Sequence, residues 1–197
     1  SRLIFTELLC AQLSLIQLQN SRKAQRSQPI KATRLETIAK RRFSFALTQA
    51  QSTVLKDILQ DMAQTAPMGR LLQGDVGSGK TAVAIGACDA VISHQMQCAV
   101  MAPTEILAEQ HFFTFQKSFS EDGVQIALLT SSTKTALRKQ ILNKLHTGDI
   151  DILIGTHSLL NDKVIFKHLG LTIVDEQHRF GVSQRAKLRI KGLQSEQ

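Results

Sequence analysis

Leu72-Gln73-Gly74-Asp75-Val76-Gly77-Ser78-Gly79-Lys80-Thr81 is the stretch on which the reading of the whole chain turns. Residues 74–81 match G-x-x-x-x-G-K-[ST]. Residues 70–73 before them read as a strand, and residues 81–92 after them as a helix. A strand, a glycine-rich loop and a helix in that order are what a phosphate-binding loop requires. The glycines let the backbone of Gly74, Asp75, Val76, Gly77, Ser78 and Gly79 curl so that successive N–H groups face one centre. The N-terminus of the next helix adds partial positive charge at the same place. Lys80 is expected to reach the β- and γ-phosphates of ATP, and the Thr81 hydroxyl to be an oxygen ligand for Mg²⁺.

Downstream of the loop, apolar runs alternate with helical patterns. Residues 98–101, 124–129, 150–154 and 171–174 read as strands, and residues 105–118 and 134–146 as helices. Short β-rich runs separated by helices imply βαβ units, and therefore an α/β fold with a parallel sheet buried on both faces. The last strand delivers two carboxylates, Asp175 and Glu176, at its C-terminal end, where open α/β sheets bind ligands. Asp175 is placed to hold Mg²⁺ through a water. Glu176 is placed to orient and deprotonate the water that attacks the γ-phosphate.

The 197 residues suit one domain with an appendage, and 43% of them are apolar, enough for a core. Cys10, Cys88 and Cys98 form no C-x-x-C and are odd in number, which argues against a disulfide framework or a structural zinc and for a reducing, cytoplasmic compartment. No apolar stretch approaches the roughly 18 residues that a membrane span needs. The formal charge of +8 lies entirely in residues 1–56, where ten Lys and Arg face Glu7 and Glu36 alone. Two readings of that leader stand: an anionic partner nearby, or a solvated basic linker. Within it, Ile4, Leu8, Ala11, Leu15 and Leu18 have the spacing of an amphipathic helix, and a second helical pattern begins at Arg34. Residues 19–33 between them are polar and basic and read as a loop.

No D-x-x-G switch or N-K-x-D base reader accompanies the loop, which argues against a GTPase. Asp175-Glu176-Gln177-His178 resembles motif II of superfamily 2 helicases. Together with the phosphate loop, Ala102-Pro103-Thr104-Glu105-Ile106-Leu107-Ala108-Glu109-Gln110-His111, Ile154-Gly155-Thr156-His157 and the continuation Arg179-Phe180-Gly181-Val182, it is similar to the RecG family of bacterial DNA helicases. The likeness spans about residues 43–190. Transcription-repair coupling factors, the nearest family to exclude, usually carry Glu where Gln177 stands.

The resemblance implies a RecA-like P-loop NTPase domain over residues 41–197, incomplete at its C-terminus, preceded at 1–40 by a helical basic linker leaving a wedge domain. It implies that Phe45, Leu47, Thr48 and Gln51 form the segment before the loop, with Gln51 bonding the adenine edge. Thr104, in a motif Ia-like segment, and Gly155, Thr156 and His157, in a motif Ib-like one, would touch the nucleic-acid backbone. Thr104 equally suits the N-cap of the helix that Glu105 begins, and His157 an ordinary loop position. Gln177 and His178 would couple the ATP site to DNA or to a second motor domain. Arg179, Arg185, Lys187, Arg189 and Lys191 form either a DNA-facing strip or a solvated helix face.

Motif III, the second RecA-like domain with its arginine finger, and the wedge domain are expected in the rest of a longer protein. This chain, expected to be monomeric, should then bind nucleotide, hydrolyse it very slowly and unwind nothing. The function implied is the motor of an ATP-dependent helicase remodelling branched DNA in recombination and repair. A duplex DNA translocase of the coupling type and a non-enzymatic, nucleotide-gated binding module are the alternatives.

Overall fold

The computed structural model describes residues 28–31, 34–176 and 179. Their elements run α1 (Leu35–Arg42), α2 (Gln49–Met62), α3 (Lys80–Ile92), β1 (Gln97–Met101), α4 (Glu105–Ser118), β2 (Ile126–Leu129), α5 (Thr135–Thr147), β3 (Ile152–Gly155), a 3₁₀ turn (His157–Leu160) and β4 (Leu169–Val174). The four strands form one parallel sheet in the order β2-β3-β1-β4.

Every residue of β1 and β3 is buried. This is why both read as unbroken apolar runs rather than alternations. The two-residue period of a strand sends alternate side chains to opposite faces. Cys98, Val100, Ile152 and Ile154 therefore join a core formed with Ile38 of α1, Leu55 and Leu59 of α2, Val83 and Ile85 of α3, and Phe115 of α4. Ala99, Met101 and Leu153 point the other way, to Ile141 and Leu145 of α5 and to Leu159, Val164 and Phe166.

The helix over 105–118 is found at those bounds, and the helix after the phosphate loop runs from Lys80. The segment 70–73 differs from expectation. It belongs to no strand, and among the described residues β4 pairs only with β1. A ladder needs a neighbour to bond, and apolar character alone does not supply one. Leu71 is instead 64% exposed, while the Arg70 guanidinium is tied to Asp57 and Asp61 on α2. The amphipathic pattern at residues 3–18 lies outside the described residues.

α1 is fastened to α3 by charge as well as by packing. Asp89, 1% exposed, accepts from both Arg41 and Arg42. Arg42 also pairs with Asp122 and lies 4.1 Å from the centre of the Phe119 ring. A buried carboxylate needs such partners to stay charged. Gln97, 3% exposed, does similar work with a neutral side chain. Its amide donates to the carbonyls of Leu145 and Ile150 and accepts from the backbone N–H groups of Lys167 and His168, so the base of the sheet is closed with every amide group bonded.

Candidate nucleotide site

Met101, at the C-terminal end of β1, is in register with Gly155 on β3 and Val174 on β4. The loops after these strands therefore leave the sheet at one edge. Two bonds beyond the strands keep them together: Ala102 N–H to Gly155 O at 2.9 Å, and Asp175 N–H to Met101 O at 2.9 Å.

The glycine loop closes by a turn, with Ser78 N–H on Asp75 O at 3.2 Å. Gly77 and Gly79 have φ of +82° and +79°, in the left-handed region that side chains resist. Gly79 is also the residue before α3, and no side chain caps that helix. The first N–H groups of a 13-residue helix thus point into the loop without a side-chain partner, an arrangement suited to phosphate. Lys80 curls back across the loop, its Nζ donating to Gly74 O at 2.6 Å and Asp75 O at 2.8 Å. Gly74, Asp75, Val76, Gly77 and Ser78 are exposed, while Gly79, Lys80 and Thr81 are half-buried where the loop enters α3.

Gln51 reaches the loop from α2. Its Nε2 donates to Ser78 O at 3.0 Å, while its Oε1 accepts from Thr48 N–H at 2.9 Å as half of a capping box completed by Thr48 Oγ1. A Cβ on Gly79 would stand 2.1 Å from Gln51 Nε2, so a side chain here would displace the Gln51 amide as well as strain the backbone angle.

Asp175 follows β4. Its Oδ2 accepts from His111 Nε2 at 2.7 Å, and its Oδ1 from the backbone N–H of Glu176 at 2.9 Å. The His111 hydrogen bond, together with that ring's charge, the Glu176 N–H and the charge of Lys80, holds the carboxyl below its usual range against the opposing effect of burial. The charge of Lys80 in the phosphate loop is thus among those that favour the ionised form of Asp175. Glu176 is exposed and takes φ of +48°, a left-handed angle uncommon outside glycine. Gln177 and His178 lie outside the described residues, as do Arg185, Lys187, Arg189 and Lys191; Arg179 is exposed.

The neighbouring loops divide. Thr104 is the N-cap of α4, accepting from Leu107 N–H at 3.3 Å, and is exposed as well. Beside it the Glu105 carboxylate accepts from Ser131 N–H at 2.9 Å, Ser132 N–H at 3.3 Å and Ser132 Oγ at 2.8 Å, bonds that hold it below the usual carboxylate range. Gly155 and Thr156 are buried, and a Cβ on Gly155 would stand 2.0 Å from Leu129 O. Of Gly155, Thr156 and His157, His157 alone presents an exposed side chain.

His111 is the residue that sequence reasoning missed as part of this site. It sits seven positions after Thr104, two turns along α4, and its partner is 64 residues further on. The helical pattern reveals that it lies on α4 but not what faces it.

Fold and loop together define a P-loop nucleotide-binding α/β domain of RecA-like architecture. The family model for DEAD/DEAH box helicases matches residues 48–194, and the chain belongs to that family. It is similar to ATP-dependent DNA helicase RecG of Bacillus subtilis, 51% identical over 196 residues, and of Synechocystis, 47% identical over 195. Each alignment takes in 97% of this chain but 28% and 23% of the relative, so the chain spans about a quarter of the length of these proteins. A solved structure of RecG bound to a three-way DNA junction superposes with a TM-score of 0.81 at 41% identity, over 90% of this chain and 24% of that one.

Proposed function

We propose that this chain is the ATP-binding motor domain of a RecG-type, ATP-dependent DNA helicase that remodels branched DNA. The observation that carries the reading is the glycine loop itself, with Gly77 and Gly79 at left-handed angles and Lys80 curled across it at the uncapped start of α3, in a RecA-like sheet. In this reading the loop N–H groups of residues 74–79 and the start of α3 hold the phosphates. Lys80 exchanges its two carbonyl partners for β- and γ-phosphate oxygens. Glu176 takes the proton of the attacking water.

The donor set suits Mg²⁺. Among the described residues no cluster of three or more His, Cys, Asp and Glu could enclose a metal alone. Mg²⁺ characteristically takes one or two protein oxygens together with waters and substrate phosphates. Thr81 Oγ1 and Asp175 would hold it, and it would neutralise charge developing on the phosphates.

Gln51 fits an adenine edge by inventory. An amide offers two N–H donors and two acceptor lone pairs. Thr48 and Ser78 use one of each, which leaves the donor and acceptor that an adenine edge needs. Toward DNA, the reading places Thr104, Gly155, Thr156 and His157 on the backbone, with the buried Gly155 and Thr156 acting through their peptide groups. Support comes from the relative whose structure holds a three-way junction. Gln177 and His178 would relay between the two sites. Residues 1–40 would link to a wedge domain, and a second RecA-like domain would complete the motor. A cytoplasmic monomer is the setting proposed; no helix among the described residues is long and apolar enough to cross a membrane.

The test is titration of a fluorescent ATP analogue with Mg²⁺ into this chain and into Lys80→Ala. Binding that the substitution abolishes is expected. Equal binding by both proteins, or none by either, would count against the site.

A further inference from the structure

We propose that His111 is a positioning residue for the metal-holding carboxylate, donating from Nε2 to Asp175 Oδ2 and so fixing the carboxylate plane from a helix that belongs to neither acidic nor phosphate loop. This rests on the assignment of Asp175 to Mg²⁺ made above, and the experiment below separates the two.

An Asp carboxylate needs outside help to hold one orientation, because its terminal torsion is broad and roughly two-fold. Among the described residues Asp175 has one pin on each oxygen, and the two differ in quality. Oδ1 is held by the N–H of Glu176, the next residue, whose own backbone sits at φ of +48° in an exposed turn. That anchor belongs to the same turn as the carboxylate and gives it no hold on the rest of the fold. Oδ2 is held at 2.7 Å by His111, whose side chain is 16% exposed and stands on α4. α4 is itself fixed by Ala108 and Phe115, both fully buried, and the Phe115 ring meets the imidazole edge-on at 6.5 Å and 86°. An ionised carboxylate can only accept, so the proton of this bond is on Nε2. These two bonds by themselves leave a lone pair on each oxygen for the waters of a hydrated cation. Partners that orient a metal-binding carboxylate in this way typically change metal affinity about 10–100-fold when removed.

The experiment compares the wild-type chain with His111→Met, His111→Gln and Asp175→Asn. Met and Gln have similar length and helix propensity, and only Gln carries an N–H at the position of Nε2. A fluorescent ADP analogue is titrated into each protein in EDTA and again across a Mg²⁺ series. The expected result is equal affinity for the His111 variants and wild type in EDTA, with a half-saturating Mg²⁺ concentration raised about 10-fold or more in His111→Met and returned toward wild type in His111→Gln. If Met and Gln are equally impaired, the donor is not what matters and the proposal falls. If His111→Met keeps the wild-type Mg²⁺ dependence while Asp175→Asn loses it, the role of His111 is overturned and that of Asp175 survives. If wild type and Asp175→Asn respond to Mg²⁺ alike, the metal assignment fails and the proposal goes with it.

Discussion

Replacing Gly79 by Ala tests the geometry of the phosphate loop through two separable costs. The first is conformational: Gly79 has φ of +79°, and a left-handed angle costs an L-residue about 1–2 kcal/mol. The second is steric, because the new Cβ would stand 2.1 Å from Gln51 Nε2 and 3.3 Å from its Cδ. Gln51 must then swing away, giving up its bonds to Ser78 O and to Thr48 N–H. A net hydrogen bond is worth about 0.5–1.5 kcal/mol and a cap about 1. Both bonds are exposed, so together they come to about 1–2 kcal/mol, and Gly79→Ala should cost about 2–4 kcal/mol. Gly77→Ala is the internal control: its φ is +82°, but a Cβ there meets nothing within 4 Å, so only the conformational cost of about 1–2 kcal/mol applies. Equilibrium urea unfolding of the wild type, both glycine variants, Gln51→Ala and the double variant Gln51→Ala/Gly79→Ala reads these quantities. In the double variant the clash is gone, and the added cost of Gly79→Ala should shrink to that of Gly77→Ala. Equal costs for the two glycine substitutions in the wild-type background would refute the steric part. Costs near zero for both would refute the loop geometry.

Three other outcomes follow from named contacts. The folded pKa of Asp175 lies below its unfolded value, so the stability its ionised form confers is complete above the unfolded value of about 3.9 and is lost as pH falls through the lower folded value. Urea midpoints followed downward from about pH 5 should fall less steeply in Asp175→Asn than in wild type; parallel profiles would contradict the shift. Asp89→Ala deprives Arg42, whose side chain is 4% exposed, of its most buried partner while leaving Asp122; a loss toward the lower end of about 3–5 kcal/mol is expected in the same urea assay. Glu176→Gln should leave nucleotide affinity in place and lower single-turnover hydrolysis by about 10²–10⁴ in a protein that also supplies the second domain.

What the sequence made legible is what local chemistry decides. β1 and β3 are buried on both faces, so their apolar runs had one sensible reading. The start of α4 was legible because Thr104 can cap and Glu105 suits a first turn, and both do so here. The phosphate loop was legible because a left-handed backbone leaves its mark as glycine. Segment 70–73 shows the limit: an apolar run announces a strand, but pairing is a property of two segments, and one sequence window holds only one of them. Gln97 and His111 show the same limit from the side of polar groups. Each is an ordinary residue in its own element, and each takes its meaning from partners 48 or more positions away. Thr156 was misleading in the opposite sense, because a hydroxyl in a loop motif reads as an exposed contact while the fold buries it.

Asp175 is therefore better understood as the meeting point of three structural units than as the end of one strand. Its N–H is held by Met101 of β1, its Oδ2 by His111 of α4, and its ionisation is favoured by Lys80 at the start of α3. α4 contributes at both ends of a short span. Thr104 and Glu105 fasten its first turn, with Glu105 bonded to Ser131 and Ser132, and His111 follows about 10 Å further along the axis at 1.5 Å per residue. Between them Ala108 is fully buried, which keeps those two turns against the core. The loop proposed for DNA and the histidine that holds the carboxylate proposed for Mg²⁺ thus sit on one helix, and the separation of Thr104 from His111 is set by helix geometry rather than by the conformation of either loop.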